Sequence, residues 1–343
     1  MNGIKHNEPI SEERWNKVCE FNRQLYDDYF IDNVELSNAT RTAYRSYLRI
    51  WFVYVAENLG NKKQVDIKSR DYKRFQNYLV DRGMSYSGIS TQRSAISSLN
   101  FYIETYYEDE YPMFRNFITK AIPKPEKSYV NKKVPPTREE LDEMIRKLEE
   151  GNRKDKYQLI CYLKFTFDTG CRRAETRQLL KDVVNSDPVV RKITAHDREG
   201  NKIERESRYY VTNEIRCKGR GKTGKVRKLK FSEDTMLAIK KWLEVRGEDD
   251  CPYVFTSGRG ENARQVSVVT INKWCSTVFT DLLGRRFHPH ILREARATDA
   301  AIEQGRPIEQ IASLLGHNST ETTKIYICND EDVEESDALF ADF

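Results

Sequence analysis

His290 and Arg293 stand three residues apart in HPHILREARAT, a spacing that sets both on one face of a helix, so an imidazole and a guanidinium can address one ligand. Downstream, Pro307 suits the first turn of a short helix and Gly316 its left-handed end, which leaves His317 projecting from the turn in SLLGHNSTETTKIY. Tyr326 follows nine residues later. Upstream, DTGCRRAE puts Arg172 three residues before Glu175, the spacing of an ion pair on one helix. A phenol, two imidazoles and two guanidiniums suit nucleophilic and acid–base work. Taken singly, each has an ordinary reading, since a histidine on a turn is usually surface and a tyrosine usually packs in a core.

Nucleotide and metal chemistry find no matching pattern. Gly221-Lys222-Thr223 has Arg216 where a phosphate loop needs its first glycine, and the frame ending in Gly224-Lys225 puts Val226 where Ser or Thr holds magnesium. The sequence has no H-E-x-x-H, no paired cysteines and no His-rich tract. The chemistry is therefore expected to rest on protein groups, with no cofactor and no metal. Seven scattered cysteines, odd in number and never in C-x-x-C, read as free thiols.

In this order the segments resemble the tyrosine recombinase, or phage integrase, family of site-specific recombinases. The family's T-G-L-R-x-x-E, hairpin lysine, H-x-L-R, L-G-H and terminal tyrosine read here as Thr169-Gly170-Cys171-Arg172-Arg173-Ala174-Glu175, Lys218-Gly219, His290-Ile291-Leu292-Arg293, Leu315-Gly316-His317 and Tyr326. LSNATRTAYRSYLRIWFVYV is similar to the opening helix of the family's core-binding domain, so the resemblance spans roughly residues 36–327. It implies a mainly α fold with a small antiparallel β-sheet, in which a helical core-binding domain and an α+β catalytic domain form a clamp around DNA. It also implies a catalytic set of Arg172, Lys218, His290, Arg293, His317 and Tyr326. Two positions depart from the family pattern: Glu294 stands where a second histidine is frequent, and Cys171 replaces a common leucine. Neither removes a principal donor.

A phosphodiester gains negative charge as a nucleophile attacks, so fixed donors around its equatorial oxygens are the best catalyst. Arg172 and Arg293 would clamp the nonbridging oxygens, His290 and His317 would donate to the same atoms, and Tyr326 would attack phosphorus. A phenol of pKa about 10 needs help at pH 7, and His290 is the candidate to accept its proton. Glu175 would orient a clamp arginine, while Arg173 would point elsewhere. The resemblance assigns protonation of the leaving 5′ oxygen to Lys218, with Lys222 and Lys225 on the same loop. The 46 residues from Arg172 to Lys218 point to an insertion over Asp187–Arg205. The family's reaction yields a 3′-phosphotyrosine and exchanges strands through a Holliday junction, without ATP. Its partners would be double-stranded DNA with paired half-sites and three further copies in a homotetramer, encoded by a bacterium, phage or mobile element. Type IB topoisomerase-like relaxation, or a catalytically inactive DNA-binding regulator of the same fold, are the alternatives.

The elements that must position these groups follow from apolar spacing. Trp15, Val18, Phe21, Leu25 and Tyr29 predict a helix over 11–30 within an N-terminal extension, 1–35. On the next helix, Tyr44, Tyr47, Leu48, Trp51 and Val55 make a buried stripe, while Arg41, Arg45 and Arg49 make a basic one. Helices over 66–82, 87–107 and 111–120 complete a core-binding domain, 36–122, and the Pro- and Lys-rich 123–136 is a linker. The catalytic domain, 137–328, opens on a capping box at Thr137 and Glu140 with a helix to about Glu150. Helices over 155–168 and 172–181 are expected next, then strands within 189–231, then helices over 233–246, 268–283, 290–304, 307–315 and 319–327.

Charge follows the same division. Arg216–Lys230 holds eight Lys or Arg and no acid, which suits phosphates, and Arg220 and Lys222 join Arg41, Arg45 and Arg93 as candidate DNA contacts. Asp330–Phe343 holds seven acids and no base. In that tail, 329–343, Val333, Leu339, Phe340 and Phe343 are candidates to dock on a neighbouring protomer. With net charge +5 over 343 residues and no apolar run near the roughly 20 residues of a membrane span, a cytoplasmic protein without a membrane partner is expected.

Overall fold

A computed structural model describes residues 9–118, 122–125, 134–196, 202–217, 225–317, 319–324 and 327. The chain forms two units, one from the sequence before residue 132 and one from the sequence after it. Lys218, Arg220, Lys222, Tyr326, the tail and most of the expected linker lie outside the described residues.

The first unit consists of α1 (Glu12–Asn16), α2 (Glu20–Asp32), α3 (Asn38–Asn58), α4 (Ser69–Asp81) and α5 (Tyr86–Tyr106). Serine side chains cap α3 and α5, Ser37 accepting from Thr40 N–H and Ser85 from Gly88 N–H. Tyr29, Trp51, Phe52, Phe75 and Leu99 form an aromatic-rich core. A buried polar chain runs through it: Trp51 Nε1 donates to Gln64 Oε1 at 2.8 Å, and Gln64 Nε2 donates to Asn100 Oδ1 at 2.7 Å. The helix expected over 11–30 is broken after Asn16, because Asn61, held at φ +55°, accepts from Cys19 N–H and donates to Lys17 O. The helix expected over 111–120 is absent from the described part. Phe114 and Phe117 turn into the core there, and Glu104 binds Asn116 N–H at 2.7 Å.

The second unit is mostly helical with small antiparallel sheets. In chain order it contains α6 (Arg138–Glu150), α7 (Lys156–Thr169), α8 (Arg173–Thr176), β1 (Val189–His196), β2 (Lys202–Val211), β3 (Ile215–Arg216), β4 (Val226–Arg227) and β5 (Lys230–Phe231). Then come α9 (Glu233–Arg246), β6 (Thr256–Ser257), β7 (Arg264–Gln265), α10 (Val268–Trp274), α11 (Thr280–Leu283), α12 (Ile291–Thr298), α13 (Ile308–Leu315) and α14 (Thr320–Lys324). The reciprocal bonds of the Thr137–Glu140 capping box open α6. α7 is the central helix, buried from Gln158 to Leu163 and packed against α6, α9 and α12. A π-helical turn, Cys275–Phe279, joins α10 to α11, and another, Asp299–Glu303, extends α12.

The helix expected over 172–181 ends at Thr176. Leu179 O accepts from Val254 N–H at 2.9 Å and Lys181 N–H donates to Pro252 O at 2.8 Å, which draws the chain into extended pairing. One sheet has the order β1-β2-β5, with Val189 opposite Tyr209 and Tyr210 opposite Phe231. The segment expected as an insertion thus supplies β1 and the start of β2. A separate ribbon pairs β3 with β4, setting Arg227 opposite Ile215.

Candidate active site

Two short segments meet at one carboxylate. Arg172 is the N-cap residue of α8; its backbone N–H donates to Glu175 Oε2 at 3.1 Å and its Nη1 to Glu175 Oε1 at 2.9 Å. Arg227 crosses from β4 and donates Nη2 to Glu175 Oε2 at 2.8 Å. Burial alone would push the Glu175 carboxyl up, but bonds from Arg227 and the Arg172 N–H reverse this and hold it below the ordinary carboxylate range. Glu175 is therefore an ionised anchor for two guanidiniums. Arg173, which follows Arg172, is half-buried and bonds to Asn272 instead.

Arg293 is fully buried and joins the chain just before Arg172 to the turn after α13. Its Nη1 donates to Gly170 O at 2.6 Å, and its Nη2 lies 2.6 Å from Leu315 O and 2.8 Å from His317 Nε2. Gly170, at φ +57°, has no room for a side chain, since a Cβ there would lie 2.7 Å from Leu315 Cδ2. On the other side of the imidazole, His317 Nδ1 is 2.9 Å from the buried Thr323 Oγ1. An arginine can only donate, so Nε2 accepts and Nδ1 carries the hydrogen. Burial, then the charges of Arg293, Arg172 and Arg227, lower the His317 pKa to about 4. In the free protein this histidine is therefore neutral, with Nε2 the accepting nitrogen.

The turn that carries His317 is gripped twice. Arg293 holds Leu315 O, and Arg227 Nη1 donates to Leu314 O at 2.8 Å. Gly316 caps α13 at φ +69°, and a Cβ there would lie 2.7 Å from Arg227 Nη1. His290 sits at the N-cap of α12, exposed, three residues before the buried Arg293. The pair therefore spans the helix start and does not share an exposed face. Glu294, the departure from the family pattern, is buried with a carboxylate oxygen 3.8 Å from His288 Nε2. Among the described residues no group of three or more His, Cys, Asp or Glu could hold a metal ion.

The model of the Phage integrase family matches residues 137–332. The chain belongs to that family. The prophage-derived recombinase-like protein YomM of Bacillus subtilis strain 168 is 32% identical over 329 residues, 95% of this chain and 92% of that one. Among solved structures, the Tn1549 transposon integrase in complex with transposon right end DNA covers 93% of this chain and 99% of its own, at TM-score 0.66 and 15% identity. A lambda integrase tetramer bound to a Holliday junction matches at TM-score 0.60 and 16% identity, over 89% of this chain and 76% of that one. The tyrosine recombinase fold is thus shared with proteins of very distant sequence.

Within this integrase site, the structure brings together Arg172, Glu175, Arg293 and His317 from the sequence-predicted set. It adds Arg227 and Thr323. Arg227 was visible in the sequence only as one base among eight, and nothing local marks Thr323. Of the residues expected to touch DNA, Arg41 bonds to the carbonyls of Phe30 and Asn33 and lies over the Phe30 ring, as does Arg45. Arg49 bonds Glu12 and covers Trp15. This basic stripe therefore fastens α3 to α1 and α2. Arg93 lies over Tyr72 and borders a shallow groove with Ser94, Ser97 and Ser98. Among the described residues no helix is long and apolar enough to cross a membrane.

Proposed function

We propose that this integrase cuts and rejoins DNA at specific sites, Tyr326 attacking a phosphodiester to give a 3′-phosphotyrosine and a free 5′ hydroxyl. The observation that carries the reading is a cluster of positive charge: Arg172, Arg227 and Arg293 all bear on His317, and Glu175 is the carboxylate that Arg172 and Arg227 bond. A phosphodiester supplies the missing negative charge, and its transition state supplies more. On binding it competes with His317 Nε2 for Arg293, and its charge raises the histidine pKa, so that Nε2 can become a donor to a nonbridging oxygen. His290, exposed at the start of α12, accepts the phenolic proton. Lys218, or Lys222 or Lys225 from the same loop, protonates the departing oxygen. The reading of Tyr326 is supported by Ile327, next in the chain, which packs against Ala297, Ala300, Ile311 and Leu315.

The covalent bond conserves the phosphodiester energy, so a second 5′ hydroxyl reverses the step with no cofactor or metal. Strand exchange would run through a Holliday junction in a homotetramer on paired half-sites, in the cytoplasm, for integration, excision or resolution according to how the sites are arranged. The test is a nicked half-site substrate. An SDS-resistant adduct that Tyr326→Phe abolishes supports the reading; binding without adduct supports a regulator, and supercoil relaxation without synapsis supports a topoisomerase.

A further inference from the structure

The β3–β4 ribbon, whose strands lie either side of Lys218, Lys222 and Lys225 in the sequence, is small, with two residue pairs, Ile215 opposite Arg227 and Arg216 opposite Val226, and a Cys217 N–H to Lys225 O bond of 2.6 Å. A ribbon of that size is not stable by itself and takes its position from what its strands grip. β3 is gripped at Arg216, whose backbone exchanges bonds of 2.9 and 3.0 Å with the Gln178 side chain. β4 is gripped at Arg227, by Glu175 and by Leu314 O. The Arg227 side chain is 13% exposed and closely packed against Gly316.

The other site groups have ties of their own. Arg172 bonds Glu175 twice, Arg293 holds Gly170 O and Leu315 O, and His317 bonds both Arg293 and Thr323. Loss of Arg227 would therefore release β4, whereas Arg172, Arg293 and His317 each keep a further tie. We propose that Arg227 is a positioning residue that registers the lysine ribbon against the arginine clamp, so that its ammonium reaches the departing 5′ oxygen. The inference rests on the phosphotyrosine reading. In that step the Tyr326 oxygen bonds to phosphorus, the P–O5′ bond breaks, and the 5′ oxygen takes a proton from the lysine. A bridging sulfur in its place leaves as a thiolate and needs no proton.

The experiment is single-turnover cleavage by the full chain of two nicked half-sites that differ only in a 5′-bridging oxygen or sulfur. Arg227→Ala is expected to slow cleavage of the oxygen substrate about 10- to 100-fold more than it slows cleavage of the sulfur substrate. Lys218→Ala, Lys222→Ala and Lys225→Ala run in parallel, one of them expected to show the same sulfur rescue. An equal loss on both substrates, or no loss on either, overturns the inference. If Arg227→Ala does not fold, Arg227→Lys carries the test, since it keeps the charge but replaces two separate Nη donors with a single nitrogen. Failure of the unaltered protein to cleave either substrate would instead bring down the phosphotyrosine reading.

Discussion

His317 shows how a candidate active-site group is set by its neighbours before any substrate arrives. Its acceptor nitrogen faces Arg293 and its protonated nitrogen faces Thr323, so it should titrate near 4 and hold the Nδ1–H tautomer at neutral pH. Nitrogen-15 spectra of the imidazole will check this: an Nδ1–H pattern down to about pH 5 is expected, and titration at the ordinary value of 6.5 contradicts it. Linkage gives the sign of the effect on stability. A histidine harder to protonate when folded contributes stability that is complete above pH 6.5 and is lost as the pH falls towards 4. His317→Gln should show a smaller loss of melting temperature than the unaltered protein between pH 7 and pH 4.5. Added phosphodiester should move the titration upwards.

Short irregular elements do the positioning, and this explains which parts of the fold the sequence revealed. Long stripes were legible: α3, α5 and α9 lie where apolar spacing puts them, and Thr137 and Gly316 mark helix ends through their own local chemistry. The breaks were not. The interruption after Asn16 depends on Asn61, more than forty residues away, and the early end of α8 depends on pairing with Pro252 and Val254. Arg227 was illegible for the same reason, since its two acceptors come from distant segments. Gly316 tests the importance of that junction. A left-handed backbone costs a non-glycine residue about 1–2 kcal/mol. Gly284 has a similar φ of +74° but nothing within 4 Å of a Cβ, so Gly284→Ala should bear that cost alone. Gly316→Ala should lose more stability and also slow DNA cleavage. Equal melting temperatures with equal cleavage rates would show that the contact with Arg227 is unimportant.

For the whole molecule, charge is divided between building the units and meeting DNA. Arg41 is occupied by carbonyls of α2 and the turn after it, so Arg41→Ala should lower the melting temperature of the first unit. Arg93 borders an open groove, and if it neutralises a phosphate, Arg93→Ala should reduce the salt slope of DNA binding by about one unit. An unchanged slope would assign Arg93 to packing against Tyr72. Deleting residues 329–343 is expected to impair synapsis on native gels while sparing half-site cleavage; unaltered synapsis would rule out docking by the tail. The proposed reaction depends on a covalent link at one residue. The most direct measurement is mass-spectrometric mapping of the protease-digested DNA adduct, in which Tyr326 is expected to carry the 3′-phosphate. A phosphate on any other residue, or no covalent adduct on a cognate site, would contradict the account.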